Sequence, residues 1–395
     1  MLRPASRRGH RVTATELFFD LVYVFAVTQL SHLLLEHLSV RGALQTLLLL
    51  LAVWWAWIYT AWLTNWLDPE RRAVRLMLLA VMLLSMIMAA SLPEAFGERG
   101  LLFAATYAAM QVGRSLFAVV AMAPLPRLRR VFERIVCWSA AASALWLAGG
   151  LLPDGAREAL WVAAVLVDYA GPVGGYATPG LGRSGPRDWT ITGAHLAERC
   201  QLFLIIALGE SILVTGATFG QLPFSAATVA ALGVAFLGSV ALWWLYFDRA
   251  AEDSSTVIAR SDEPGRLGRS AYTYFHLPMV AGIIVAAVGD ELVIAHPGGH
   301  TDAATAAVVL GGPALFLAGH VLFKRSVFGL MSWHRLAAIA VLASLAPVSL
   351  VIPPLGLSAA ATLVLWAVAA WDARTYPHTP GTGAVTDAAP RVDVA

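Results

Sequence analysis

Apolar residues in this chain run in long unbroken stretches separated by short polar segments. Neither the alternation of a half-buried strand nor the single stripe of a soluble helix describes them. Stretches of about 20 residues suit a hydrocarbon core of about 30 Å. The pattern predicts twelve helical spans, at 15–36, 43–66, 72–92, 101–122, 132–152, 157–177, 197–219, 224–247, 271–293, 303–323, 335–352 and 356–373. The fold class expected is an all-α polytopic membrane protein. The least hydrophobic stretch near the middle, 171–193, divides the spans into two groups of six.

Composition agrees. Hydrophobic residues make up 58% of the chain, charged residues 13%, and the mean hydropathy is +0.70, whereas a soluble domain carries about 25% charge. The net charge of +2 hides an asymmetry. Assigned to the predicted connections, 22 of the 27 Lys and Arg fall on the side of the termini and only Arg41, Arg99 and Arg157 on the other, with Arg114 and Arg199 inside spans. The positive-inside rule then makes both termini cytoplasmic. The partner expected is the lipid bilayer and not nucleic acid. A basic N-terminus running into a full-length span without a small-residue cleavage motif predicts a retained first helix. Cys137 and Cys200 form no disulfide framework, and no cofactor is expected.

The expected organisation is a cytoplasmic segment 1–14, a first half 15–177, a linker 178–196, a second half 197–373 and a disordered tail 374–395. The halves share features in order: Glu16 and Glu198, Trp54-Trp55 and Trp243-Trp244, Asp68 and Asp248. The offset drifts from 182 residues at the Glu pair to 189 at the Trp pair, as loop-length changes allow. Even-numbered halves share one orientation, so the expectation is two parallel six-helix repeats with a polar site between them. The linker's Gly180 to Gly185, a literal G-x-G-x-x-G, has no preceding strand or βαβ context and is not a nucleotide site.

Polar residues inside the spans supply the candidate chemistry. Glu16 and Asp20 lie four residues apart on one face of the first helix, with Tyr23 and Ser31 near the same stripe. That face should look into the protein. Two readings are open for the pair: helix capping with an ion pair to a cytoplasmic Arg, or a cation or proton site at the inner mouth. Glu198 and Arg199 open the seventh span, and Glu210 lies about 18 Å beyond Glu198 at 1.5 Å per residue, inside the bilayer. A carboxylate there is paired, with Arg114 of the fourth span as one partner, or else protonated or on a transport route. His276 precedes Pro278, where a kink can expose carbonyls. His32, His195 and His320 are further partners, and Asp168 is either a relay acid or a cap. The loop with Asp290, Glu291, His296, His300 and Asp302 lacks helical ligand spacing, and no metal is assigned to it. Trp54, Trp55, Trp57, Trp62 and Trp66 are read as anchoring and packing residues.

The segments TATELFFDLVYVFAVTQLSHLL (13–34), HLAERCQLFLIIALGESIL (195–213), WWLYFD (243–248) and YTYFHLPMVAGIIVAA (272–287) resemble the bacterial low-temperature-requirement A (LtrA) family. The resemblance implies a multispanning protein linked to growth in the cold, with no established substrate. The first span alone is also similar to the Phe-Ser-Asp helix of potassium channels built from six-span repeats. It departs from that pattern at Phe19 and Ala14, and a pore is an analogy only.

The leading functional expectation is a transporter or channel for a small solute, monovalent cation or proton, with Asp20, Glu210 and His276 on its polar path. The alternative is a membrane-embedded enzyme acting on lipid or envelope precursors, for which no Ser-His-Asp set or H-E-x-x-H is present. Short loops leave little room for a signalling output. A homo-oligomer is compatible with either.

Overall fold

The computed structural model describes residues 1–3, 12–185, 188, 189, 191–248 and 250–375. The tail from 376 and six of the arginines counted for orientation (Arg7, Arg8, Arg11, Arg187, Arg249, Arg391) lie outside the described residues.

A capping box starts the first helix, α1 (Ala14–Glu36): Thr13 Oγ1 accepts from the Glu16 N–H, and Glu16 Oε2 accepts from the Thr13 N–H. There follow α2 (Val40–Trp66), α3 (Arg72–Ser91), α4 (Gly100–Ala121), α5 (Pro126–Leu151) and α6 (Ala156–Val173). After the linker come α7 (Gly193–Gly220), α8 (Ala226–Phe247), the short α9 (Ala250–Ala259) and α10 (Pro264–Leu267), then α11 (His276–Ala295), α12 (Ala303–Phe328), α13 (Trp333–Ser344) and α14 (Pro354–Thr375). The described residues contain no strand, only two isolated bridges, Leu2 with Leu67 and Thr178 with Gly182.

Eleven of these segments are long and apolar enough to cross a membrane. The remaining long helix, α6, has 18 residues but carries Arg157, Glu158 and Asp168. The protein is a multi-pass, all-α membrane protein. Three predicted spans differ in detail. α5 starts six residues before the expected 132, because Leu128 and Val131 face inward while Arg127, Arg129 and Arg130 stay exposed, an amphipathic turn that averaged hydropathy hides. The ninth span is divided: Gly268–Tyr274 is π-helical and α11 begins at His276, two residues before Pro278. The eleventh ends as an α-helix at Ser344 and closes with a 3₁₀ turn beyond Pro347.

Packing follows two groups. α4, α5 and α6 form one layer, and α3 joins α1 to it; α8, α12 and α14 pack around α7 and α11, with α13 outside against α12 and α14. The groups meet where α1 and α2 pack on α7 and α11. Trp54 Nε1 donates to the Thr273 carbonyl at 2.7 Å, and Tyr274 Oη donates to the Tyr169 carbonyl at 2.9 Å, both across this boundary. The π segment leaves those residues at the seam.

The three arginines on the expected outer side are all engaged. Arg41 pairs with Glu158 at 2.9 Å, Arg99 with Glu94 at 3.2 Å, and Arg157 donates to the Ala95 and Gly97 carbonyls. In the loop before α12, Asp302 caps the helix, and the Thr305 N–H holds its carboxyl below the ordinary carboxylate range.

Candidate functional site

The inward face of α1 meets α2 and α7 in a buried charge cluster. Glu16, Asp20 and Arg199 are all fully buried. Arg199 Nη2 donates to Asp20 Oδ1 at 2.6 Å, and Trp57 Nε1 donates to the same oxygen at 2.7 Å. Arg199 Nη1 lies 3.4 Å from Glu16 Oε1 and donates to Thr64 Oγ1 at 3.3 Å. Arg3 Nη2 reaches Glu16 Oε1 at 3.1 Å. Phe19 and Trp57 sandwich the Arg199 guanidinium, with ring centroids 5.7 and 5.8 Å away.

Asn65 Oδ1 accepts from the Thr192 N–H at 2.6 Å, so its Nδ2 faces His195 Nδ1 at 3.4 Å. His195 Nε2 lies 3.0 Å from Glu16 Oε1 and 3.3 Å from Arg3 Nη2, between a carboxylate that takes a proton from it and a guanidinium that donates one to it. With His195 neutral, two guanidiniums face two carboxylates, and the formal charges cancel. Among the described residues, Asp20 Oδ2 and Arg199 Nε have no hydrogen-bond partner.

A second network lies within the first group. Arg114 donates to the Ala56 carbonyl (2.8 Å), to Thr60 Oγ1 (2.9 Å) and to Gln111 Oε1. Gln111 donates to Tyr107 Oη at 2.8 Å, which donates to Asp168 Oδ2 at 2.9 Å; Trp146 Nε1 reaches the same oxygen at 3.4 Å. Asp168 therefore closes an interhelical chain and caps no turn. Asp168→Leu is expected to strand Tyr107 Oη and Trp146 Nε1 at about 1–3 kcal/mol each, with Asp168→Asn retaining most of the stability. Thermal unfolding in mild detergent, followed by tryptophan fluorescence, measures the difference.

A third cluster joins α8, α11 and α12. His276 Nδ1 donates to the Ala271 carbonyl at 2.9 Å, leaving Nε2 to accept from Tyr246 Oη at 2.7 Å. The histidine thus bonds back to a carbonyl of the π segment. Tyr272 stacks on His276 at 5.1 Å, and Cys200, beside Arg199, points its Sγ at the Tyr272 carbonyl, 3.8 Å away. His320 is fully buried nearby, and among the described residues neither of its ring nitrogens has a hydrogen-bond partner.

Of the residues singled out from sequence, Glu16, Asp20, Arg199 and His195 come together. Glu198 sits at the rim and accepts from the Val12 N–H at 3.3 Å. Arg114 and Asp168 share a different network, and His276 a third. Glu210, 4% exposed, lies about 16 Å along α7 from Arg199. Among the described residues it makes no ion pair, and the Arg114 partnership is absent because that guanidinium is spent on α2 and α4. His32 faces outward. The sequence reading missed Trp57, Asn65, Tyr107 and Gln111. Their signal was available: an indole N–H or a carboxamide inside an apolar span needs an internal partner. The Trp pairs behind the expected repeat have different surroundings, Trp54 and Trp55 being buried while Trp243 and Trp244 are 43% and 40% exposed.

Comparison with known proteins gives a consistent placement. The family model described as bacterial low temperature requirement A protein (LtrA) matches residues 11–370. An uncharacterized protein of Rhizobium meliloti (strain 1021) is 38% identical over 379 residues, covering 95% of this chain and 92% of its own length. No solved structure matches. With a family match over nearly the whole chain and a relative this similar along its length, the protein belongs to the bacterial low-temperature-requirement A family.

Proposed function

We propose that this protein is a transporter or channel for a small solute, monovalent cation or proton, with a polar path between its two helix groups that passes Asp20. The supporting observation is Asp20 Oδ2, a fully buried carboxylate oxygen that, like Arg199 Nε in the same cluster, has no hydrogen-bond partner among the described residues. Leaving such an atom dry costs free energy, and intramembrane ionisable groups are retained where they hold or pass a charge. Its partner Arg199 sits on α7, in the other helix group, so a relative movement of the groups would break the pair and free both charges for water or a passing cation. Glu210 and His276 continue the proposed path at greater depth.

The charge bias of 22 against 3 orients this cluster at the cytoplasmic end, with both termini inside a bacterial inner membrane. The two halves, 15–177 and 197–373, then act as the moving bodies. A cold-growth role follows if flux through this path becomes limiting at low temperature. Asp20→Asn is expected to abolish uptake of the transported ion into proteoliposomes, and Glu210→Gln to reduce it at least tenfold, measured across monovalent-cation and pH gradients. Folded variants with full flux would remove these residues from the path. Absence of flux in folded wild type under every gradient would reject transport itself.

A further inference from the structure

A second feature lies outside the charge cluster and shares no residue with it. At the seam between the helix groups is a cavity of about 120 Å³. One wall is a stripe of α2: Trp55, Tyr59, Trp62 and Trp66 follow one another at helical spacing along about 16 Å of axis. Phe132 of α5 and Trp189 of the linker face them. Trp189 meets Trp62 edge-on with centroids 5.6 Å apart, and Phe132 meets Trp66 edge-on at 5.7 Å. Trp62 Nε1 is fixed by Thr273 Oγ1 at 2.9 Å. The rings are held by one another and by the π segment, so the cavity is formed before anything enters it.

Its mouth is charged. Glu263, Arg266 and Arg269 border it. Glu263 is neutralised by Arg266 at 3.0 Å. Arg269 spends one N–H on the Pro172 carbonyl at 3.0 Å and, among the described residues, has no carboxylate within 4.0 Å. An apolar, aromatic-walled site with one uncompensated guanidinium at its opening has the chemistry of an amphiphile receptor. An apolar cavity of roughly 150 Å³ takes a benzene ring, so this one suits a single ring or a short run of methylenes. The aromatic faces alone would also attract a cation, but Arg269 opposes it and Glu263, the carboxylate at the mouth, is already paired.

We infer that this cavity binds a small organic anion, its ring or short chain among the tryptophans and its carboxylate or phosphate on Arg269. The experiment is equilibrium dialysis of full-length protein in non-ionic detergent against radiolabelled phenylacetate, neutral benzyl alcohol and cationic benzylamine, each with a single ring. Saturable one-to-one binding is expected, with the acid at least tenfold tighter than the alcohol and the amine weakest. Arg269→Gln should weaken the acid at least tenfold while leaving the alcohol unchanged. Ile135→Trp, which fills the cavity, should abolish binding of all three with helicity and elution volume preserved. If Ile135→Trp fails to fold, the Arg269→Gln comparison still decides. Lack of saturable binding, benzylamine as the tightest ligand, or an unchanged acid affinity in Arg269→Gln would overturn the proposal. The same anionic chemistry exists in lipid headgroups: displacement of the acid by phosphatidylglycerol but not phosphatidylcholine would assign the site to lipid and overturn the small-anion ligand.

Discussion

Replacing Arg199 by Leu is expected to destabilise the folded protein by about 3–5 kcal/mol, the cost of leaving a buried charge without its partner. Asp20 would keep only the Trp57 indole N–H, and Glu16 would keep Arg3 and His195. Neither carboxylate reaches water, since both are fully buried. The double replacement Asp20→Leu with Arg199→Leu should recover part of that loss, because two apolar side chains of adequate volume pack where a desolvated pair stood. Recovery should be incomplete by about 1–3 kcal/mol, the cost of leaving the buried Trp57 Nε1 without its acceptor. The proposed transport role makes a second demand: the double variant is stable and yet carries no flux. Thermal midpoints and the monodisperse fraction in detergent measure the first outcome, and proteoliposome uptake the second. An Arg199→Leu protein as stable as wild type would show that the pair contributes nothing to the fold. A double variant with full flux would show that it contributes nothing to transport.

Span positions and the inward face of α1 were legible because both depend on local pattern. Tyr23 is fully buried and Ser31 is 2% exposed, together with the two carboxylates, while Phe18 and Leu21 are 56% and 57% exposed. That division is the one the helical spacing of Glu16 and Asp20 requires. The partner across the seam was not legible. Arg199 lies 179 residues from Asp20, and apolar sequence on both sides carries no mark of which helix faces which. The same gap explains Arg114: pairing it with Glu210 satisfies charge, but carbonyl, hydroxyl and carboxamide acceptors on α2 and α4 satisfy the guanidinium equally well and lie closer in the fold. Anchoring and packing was too narrow a reading of the tryptophans. Trp57, fully buried, is a hydrogen-bond donor to the charge cluster, and Trp54 and Trp62 tie α2 to the π segment. The break in the ninth span was half visible in Pro278, which lacks an N–H for the preceding turn. The π register before it, with Phe275 N–H bonding the Ser270 carbonyl at 3.1 Å, has no such sequence mark.

Two adjacent glycines in α12 give the sharpest test of the helix packing beneath this site. Gly312→Val is expected to destabilise the protein by about 3 kcal/mol, the upper part of the overpacking range, whereas Gly311→Val should change it by no more than about 0.5 kcal/mol. A Cβ on Gly312 would stand 2.5 Å from the Ala286 backbone nitrogen and 2.7 Å from its Cα, while one on Gly311 meets nothing within 4 Å. Backbone atoms have no rotamer to move into, so α11 and α12 must separate. Gly282 shows the approach from the other side, with its Cβ position 2.5 Å from the Phe316 nitrogen. Small residues that let backbones meet are the usual basis of helix association in lipid, where no hydrophobic force acts between apolar surfaces. Separation would also disturb the histidine cluster, because His276 is carried by α11 and Phe323, edge-on to it at 4.9 Å, by α12. The Gly312 variant should therefore lose both thermal stability and any flux that depends on His276, and the Gly311 variant neither. Equal thermal midpoints for the two variants would mean that the helices do not meet at this register, and the placement of His276 beside Tyr246 and Phe323 would fall with it.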